Sequence, residues 1–376
     1  MTKYILYYII FISFCHIMEQ TSKNHRNVAL SAMLVASIAA LNAGSDTNTK
    51  VPEKARAALC KVFKSPKLRP ESGSVPPKWA IAGPSAELMT HSSDRSECNR
   101  HAEGNGNYEI PERLNGNYRI LYPQTYAVDE NGRYDLWLHF HGSEMFEAEW
   151  LKEMRNTILV TLHQRGLSGV YLKRFESPHQ WQQLQNVISA AVSRHYDTDS
   201  RPRRIGLSGW SAGCGALKKI SDFDMEHVDA MLLLDGVHGT YRGANNEPIY
   251  DYTRFRHATS LPVNFPVYSQ LASLGGRFMG ISHSSVPCSG TCQRGDKSYA
   301  STTATARNMI WAVGGTEADM APKAFDPEHT DAPYYTYDQG NFHVAGHRGA
   351  SGNDHCTVFN DVVPFLKKAK TEAGFE

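Results

Sequence analysis

The sequence predicts an α/β protein, a doubly wound and mostly parallel sheet with helices on both faces, behind an irregular N-terminal extension. Two observations predict it. From about residue 115 onward, short apolar runs alternate with segments of helical periodicity, as a parallel sheet with crossover helices requires. And Gly209-Trp210-Ser211-Ala212-Gly213 follows one such run and opens a helix, giving strand, sharp turn and helix.

The extension comes first. Residues 44–114 are rich in Pro, Ser, Lys and Glu, and Pro66, Pro70, Pro76 and Pro77 interrupt any long periodic run. Strand candidates then follow at Tyr118 to Tyr122, Tyr134 to His141, Thr157 to Leu162, Arg204 to Ser208, Ala230 to Asp235 and Arg277 to His283, with a last strand and its exit at Asn341 to Gly346. Between them the clearest helix is His179 to Tyr196, where Trp181, Leu184, Val187, Ile188, Ala191 and Val192 recur at three- and four-residue spacing. Cys214 to Ile220, Thr302 to Val313 and Thr357 to Lys370 read the same way. The expected domains are a leader over 1–43, the extension over 44–114 and one catalytic domain over 115–376.

The 39 basic and 38 acidic residues give a formal charge of +1, so no basic field for nucleic acid exists. No stretch reaches the roughly 18 consecutive apolar residues of a membrane span. Two apolar segments stand near the N-terminus, Tyr4 to Ile17 and Val28 to Leu41. The second, with Lys23, His25 and Arg26 before it and Asn42-Ala43-Gly44 after it, reads as a secretory signal peptide cut near Ala43, with Met1 or Met18 as the start. The expected location is therefore secreted or periplasmic. Beyond the leader six cysteines remain, an even number that suggests disulfides in an exported chain. Cys288 with Cys292 and Cys60 with Cys98 are natural pairs. Cys214 and Cys356 either bond to each other or leave Cys214 as a buried thiol.

Ligand sites of open parallel sheets lie beyond the carboxyl ends of the strands, so residues at strand exits carry the chemistry. Ser211, at the tip of the Gly-x-Ser-x-Gly turn, is the candidate nucleophile. A serine needs a base, and His355, in a Gly-rich turn before the last helix, is the candidate over His343 and His347. An acid must orient that imidazole. Asp235 closes the strand Met231-Leu-Leu-Leu-Asp235; Asp296 is the alternative, and Asp354 is too close in sequence to His355. The His141-Gly142-Ser143 turn offers backbone N–H groups of Gly142 or Ser143 for an oxyanion hole, joined by that of Ala212. His139, His141 and His163 are also conceivable metal ligands, but without convincing spacing. No cofactor and no metal are expected.

With these residues in place, the chain resembles the α/β-hydrolase superfamily: a His-Gly turn, a Gly-x-Ser-x-Gly elbow, an acid and a late histidine, over roughly residues 115–376. Within it, His139-Phe-His-Gly142 and Gly209-Trp-Ser-Ala-Gly213 are similar to exported esterases of the polyhydroxybutyrate-depolymerase and feruloyl-esterase type. The resemblance implies an α/β-hydrolase fold and a secreted serine hydrolase that cleaves a small-molecule or polymeric carboxylic ester through an acyl-enzyme. A serine peptidase and a catalytically silent binding module stay open as other readings. In most members the acid directly follows the strand that here ends in His283-Ser284-Ser285; a minority place it one strand earlier, where Asp235 falls.

Overall fold

The computed structural model describes residues 77–81, 112–114, 118–124, 128–237, 264–286, 301–324, 329, 332–349 and 351–376. All of them belong to one compact unit, 60–376; the other unit, 1–59, lies outside the described residues. The leader, both apolar N-terminal segments, Cys60, Cys98, Cys288, Cys292 and Asp296 also lie outside them.

One nine-stranded sheet organises the chain. Its strands are β1 (Glu112–Leu114), β2 (Tyr118–Leu121), β3 (Arg133–Phe140), β4 (Ile158–Leu162), β5 (Arg201–Trp210), β6 (Ala230–Leu234), β7 (Phe278–His283), β8 (Tyr335–Gln339) and β9 (Phe342–Gly346). The spatial order is β1-β2-β4-β3-β5-β6-β7-β9-β8. From β4 to β9 every pairing is parallel. Only the outer pairings, β1 with β2, β2 with β4 and β8 with β9, are antiparallel. The mostly parallel, doubly wound architecture expected from the sequence is thus present, and β1 adds a strand inside the segment expected to be irregular.

Residue period two explains why the central strands are apolar throughout. Leu136, Leu138 and Phe140 of β3 join one core, while Trp137 joins the other. The first core is covered by α2 (Ser168–Arg174), α3 (Pro178–Tyr196), α4 (Cys214–Asp224), α5 (Asn264–Ser273) and α6 (Thr302–Ala312), through residues such as Leu184, Ile188, Leu217, Tyr268 and Met309. The second is covered by α1 (Ser143–Glu153) and α7 (Val362–Ala373), through Phe146, Trp150, Phe365 and Leu366. All five residues of β4 and of β6 are buried, because helices press on both faces.

Local signals fix the longest helix. Ser177 and Gln180 form a reciprocal capping box and Pro178 occupies the first turn, where its missing N–H costs nothing. The helix ends at Asp197 in a left-handed conformation. Among the described residues no helix is long and apolar enough to cross a membrane.

Candidate active site

Three neighbouring strands end on a non-glycine residue with positive φ: His141 after β3 (71°), Ser211 after β5 (49°) and Asp235 after β6 (42°). Such backbone costs on the order of 1 kcal/mol or more at each position and persists only where the surroundings enforce it. The sheet register puts β3, β5 and β6 side by side, so all three turns open at one edge.

Close backbone approach enforces them. A Cβ at Gly213 would lie 1.8 Å from the carbonyl oxygen of Phe140, so only glycine lets the elbow pass beneath the end of β3. A Cβ at Gly236 would lie 2.1 Å from the carbonyl oxygen of Ser211 and 2.6 Å from Cys214 Sγ. The chain leaving Asp235 therefore runs directly against the Ser211 turn. Cys214 is a free, buried thiol whose Sγ donates to the carbonyl of Gly209 at 3.1 Å, so no Cys214–Cys356 bond ties the two loops; Cys356 is disulfide-bonded otherwise. Burial pushes the Cys214 thiol up from its ordinary range.

Asp235 is 3% exposed and its carboxylate is saturated with donors. Oδ1 accepts from the backbone N–H of Ser284 at 3.0 Å and from Thr302 Oγ1. Oδ2 accepts from Ser284 Oγ and from His355 Nδ1, the latter at 2.6 Å. Burial alone pushes this carboxyl up, but the charge of His355 and the donated hydrogen bonds outweigh it and hold the group below the usual carboxylate range.

His355 sits on a one-turn helix, Asp354–Thr357. Asp354 is occupied within its own turn, accepting from the N–H and Oγ of Ser351, both at 2.6 Å. The His355 ring lies 4.9 Å from that of Trp210, and Trp210 Nε1 donates to the His355 carbonyl at 3.1 Å. The residue before the elbow serine thus anchors the histidine's turn. Among the described residues no hydrogen bond joins Ser211 Oγ to His355; serine–histidine contacts are often long before substrate binds.

The other predicted residues lie as follows. Gly142 has φ 68° and its N–H donates to His163 Nδ1 at 3.1 Å. Ser143 begins α1, so its N–H belongs to the positive end of a helix aimed past β3. Ala212 is buried in the one-turn 3₁₀ segment behind Ser211. His343 is far from these groups, bonded to Asp338 and Glu372, and His347 pairs with Asp361.

His139 is fully buried, with Nδ1 on Ser208 Oγ at 2.8 Å and Nε2 on the His141 carbonyl at 2.5 Å, while the His141 ring stacks 4.8 Å from His163. Burial lowers His139 to about 3. Burial, with the neighbouring charges of His163 and His355, lowers His141 to about 4. Among the described residues no group of three or more potential ligands is arranged to hold a metal ion.

Sequence reasoning did not single out Ser284, Thr302 or the Trp210 indole as partners of this site. The signal for Ser284 was available: β7 exits on His283-Ser284-Ser285 with no carboxylate, and its hydroxyl and amide serve the carboxylate of the adjacent strand instead.

Strand order, antiparallel second strand and a serine turn after β5 define the class: the chain has the α/β-hydrolase fold. No family model and no curated protein matches it. Solved structures do. The feruloyl esterase module from Clostridium thermocellum is 14% identical, covering 74% of this chain and 93% of its own, with a TM-score of 0.36. The enterobactin esterase from Shigella flexneri is 11% identical over 72% of this chain and 61% of its own, with a TM-score of 0.35. Oligopeptidase B from Leishmania major is 11% identical over 71% and 37%, with a TM-score of 0.34.

Proposed function

We propose that the protein is an exported serine hydrolase that cleaves carboxylic esters, with Ser211 as nucleophile, His355 as base and Asp235 as the acid that orients it. The observation that carries this reading is the 2.6 Å hydrogen bond from His355 Nδ1 to the buried Asp235, beside a serine in a strained turn.

Asp235 accepts the Nδ1–H, which leaves Nε2 as the nitrogen able to take the Ser211 proton. As Ser211 Oγ adds to the ester carbonyl, negative charge grows on the carbonyl oxygen. The N–H of Ala212 and that of Ser143, at the start of α1, serve that oxygen; Gly142 is the lesser choice because its N–H already donates to His163. The imidazolium then returns its proton to the departing alcohol oxygen. Water, deprotonated by the same nitrogen, releases the acid and restores Ser211. No cofactor enters. The leader at Val28 to Leu41 supports export.

Ser211→Ala is expected to abolish hydrolysis of 4-nitrophenyl acetate while the circular-dichroism spectrum and melting temperature stay as in the wild type. Asp235→Asn is expected to lower kcat by about 10⁴, since the wrong histidine tautomer would then face the serine. Wild-type kinetics in either variant would remove that residue from the mechanism. Ester and peptide substrates assayed side by side separate an esterase from a peptidase, and labelling of Ser211 by a fluorophosphonate probe excludes a silent binding module.

A further inference from the structure

Next to the turn proposed for the oxyanion lies an open cleft of about 1260 Å³, larger than the roughly 300–1,000 Å³ of a drug-sized ligand's pocket and suited to a longer chain. His163 links the two. Its Nδ1 takes the Gly142 N–H, its ring stacks on His141, and it also lines the cavity. The wall is rigidly coupled to the elbow. Tyr171 OH accepts from the N–H of Gln164, a lining residue, and pairs with His141 Nδ1 at 3.1 Å. Helix α2, which contributes Lys173 and Arg174, runs so close to α4 that a Cβ at Gly215 would lie 2.8 Å from the Ser168 carbonyl.

The charge of the wall departs from that of the chain. The protein as a whole balances 39 cations with 38 anions, yet the cavity is lined by Arg165, Lys173 and Arg174 and by no aspartate or glutamate among the described residues. Arg174 is fixed: Nε donates to Tyr118 OH at 2.7 Å and the guanidinium lies 4.8 Å over that ring. Arg165 and Lys173 have no carboxylate partner among the described residues. Helix α3 adds Gln183 and Asn186 to the same lining, together with Leu184 and Val187. Side-chain amides both donate and accept, which suits hydroxyl groups. Cations and side-chain amides in one lining match a ligand that carries carboxylates and hydroxyls along one chain.

We propose that this cavity binds the alcohol portion of the substrate, and that this portion is a polyhydroxylated chain bearing carboxylates, of the uronate-oligosaccharide type. Arg165 and Lys173 pair with its carboxylates, and Gln183 and Asn186 with its hydroxyls. The inference rests on the assignment of Ser211 as nucleophile only for the step that follows binding. Carboxylates held at this wall bring an acyl ester on the same chain toward Ser211, past His163.

The test compares O-acetylated trigalacturonate with the O-acetylated neutral galactose trimer. At low ionic strength the anionic ester is expected to be hydrolysed with about tenfold higher kcat/KM, the gain lying in KM. The preference is expected to vanish near 1 M salt, where the screening length falls to about 3 Å. The double variant Arg165→Gln/Lys173→Gln is expected to lose the preference while cleaving 4-nitrophenyl acetate at the wild-type rate. Equal kcat/KM for the two trimers, or a preference that survives the double substitution, overturns the proposal. Binding is read separately by calorimetry with trigalacturonate and the Ser211→Ala protein. Binding that weakens about tenfold on adding the two substitutions supports the cavity assignment even should Ser211 prove dispensable for hydrolysis, and absence of binding overturns it while leaving the nucleophile assignment untouched.

Discussion

At the scale of residues, the setting of Asp235 is defined by what donates to it. Ser284 supplies two of the hydrogen bonds to Asp235 and Thr302 a third, and none of these groups touches the elbow serine. They act through the carboxylate, keeping it ionised and turned toward His355. Ser284→Ala removes one hydrogen bond to a charged group, worth about 1.5–3 kcal/mol. The expected result is a fall in kcat of about tenfold or more with KM unchanged, and recovery in Ser284→Thr, which keeps the hydroxyl. A change confined to KM, or an alanine variant as active as the wild type, would show that Asp235 does not depend on this donor in the proposed role. Asp235 itself was legible as the carboxylate ending an apolar strand. Its donors were not, because Ser284 and Thr302 lie 49 and 67 residues away in sequence and only the fold brings them to it.

Elements were legible wherever their cores are apolar. β3, β4, β6 and β7 fall within a residue or two of the expected runs, because burial on both faces demands continuous hydrophobicity. Edge strand β8 has only the pattern Tyr335 and Tyr337 inward with Thr336 and Asp338 outward, too brief to distinguish from a loop. Helix α1 escaped for a similar reason: its buried Phe146, Trp150 and Leu151 are separated by glutamates, two of which are themselves buried. The elbow between β5 and α4 is the element on which the site depends most. Gly213→Ala drives a methyl into the Phe140 carbonyl, 1.8 Å away, and neither backbone can retreat without breaking the β3–β5 register. The expected cost is at least about 2 kcal/mol of unfolding free energy, measured by urea denaturation, together with lost ester hydrolysis. A variant of wild-type stability would mean the turn is more yielding than its packing implies.

At the scale of the whole molecule, buried histidines couple stability to pH. Burial lowers His139 to about 3 and His283 to about 4, against about 6.5 for an exposed histidine. Both are neutral in the folded protein, and the unfolded chain takes up their protons first as pH falls. Their contribution is therefore complete above about pH 6.5 and is lost progressively as pH drops toward 4, at about 1.4 kcal/mol per pH unit for each group. Urea midpoints measured from pH 7 to pH 4.5 are expected to fall, and His139→Gln is expected to flatten that slope. A slope identical in the variant would contradict a neutral His139 in the fold.

The sequence by itself determined the alternation of strands and helices, the elbow at Ser211 and the short set of histidines and carboxylates from which a site could be drawn. These features are local: periodicity, glycine spacing and a strand exit are properties of a few consecutive residues. Tertiary structure decided that His355 meets Asp235, that His343 and His347 have other carboxylates, that Cys214 stays a free thiol, and that residues of α2 and α3 line one open cleft that His163 shares with the Gly142 turn. Those outcomes depend on which strand ends become neighbours. Chain distance carries no information about that, because strand order is set by burying two faces of one sheet at once.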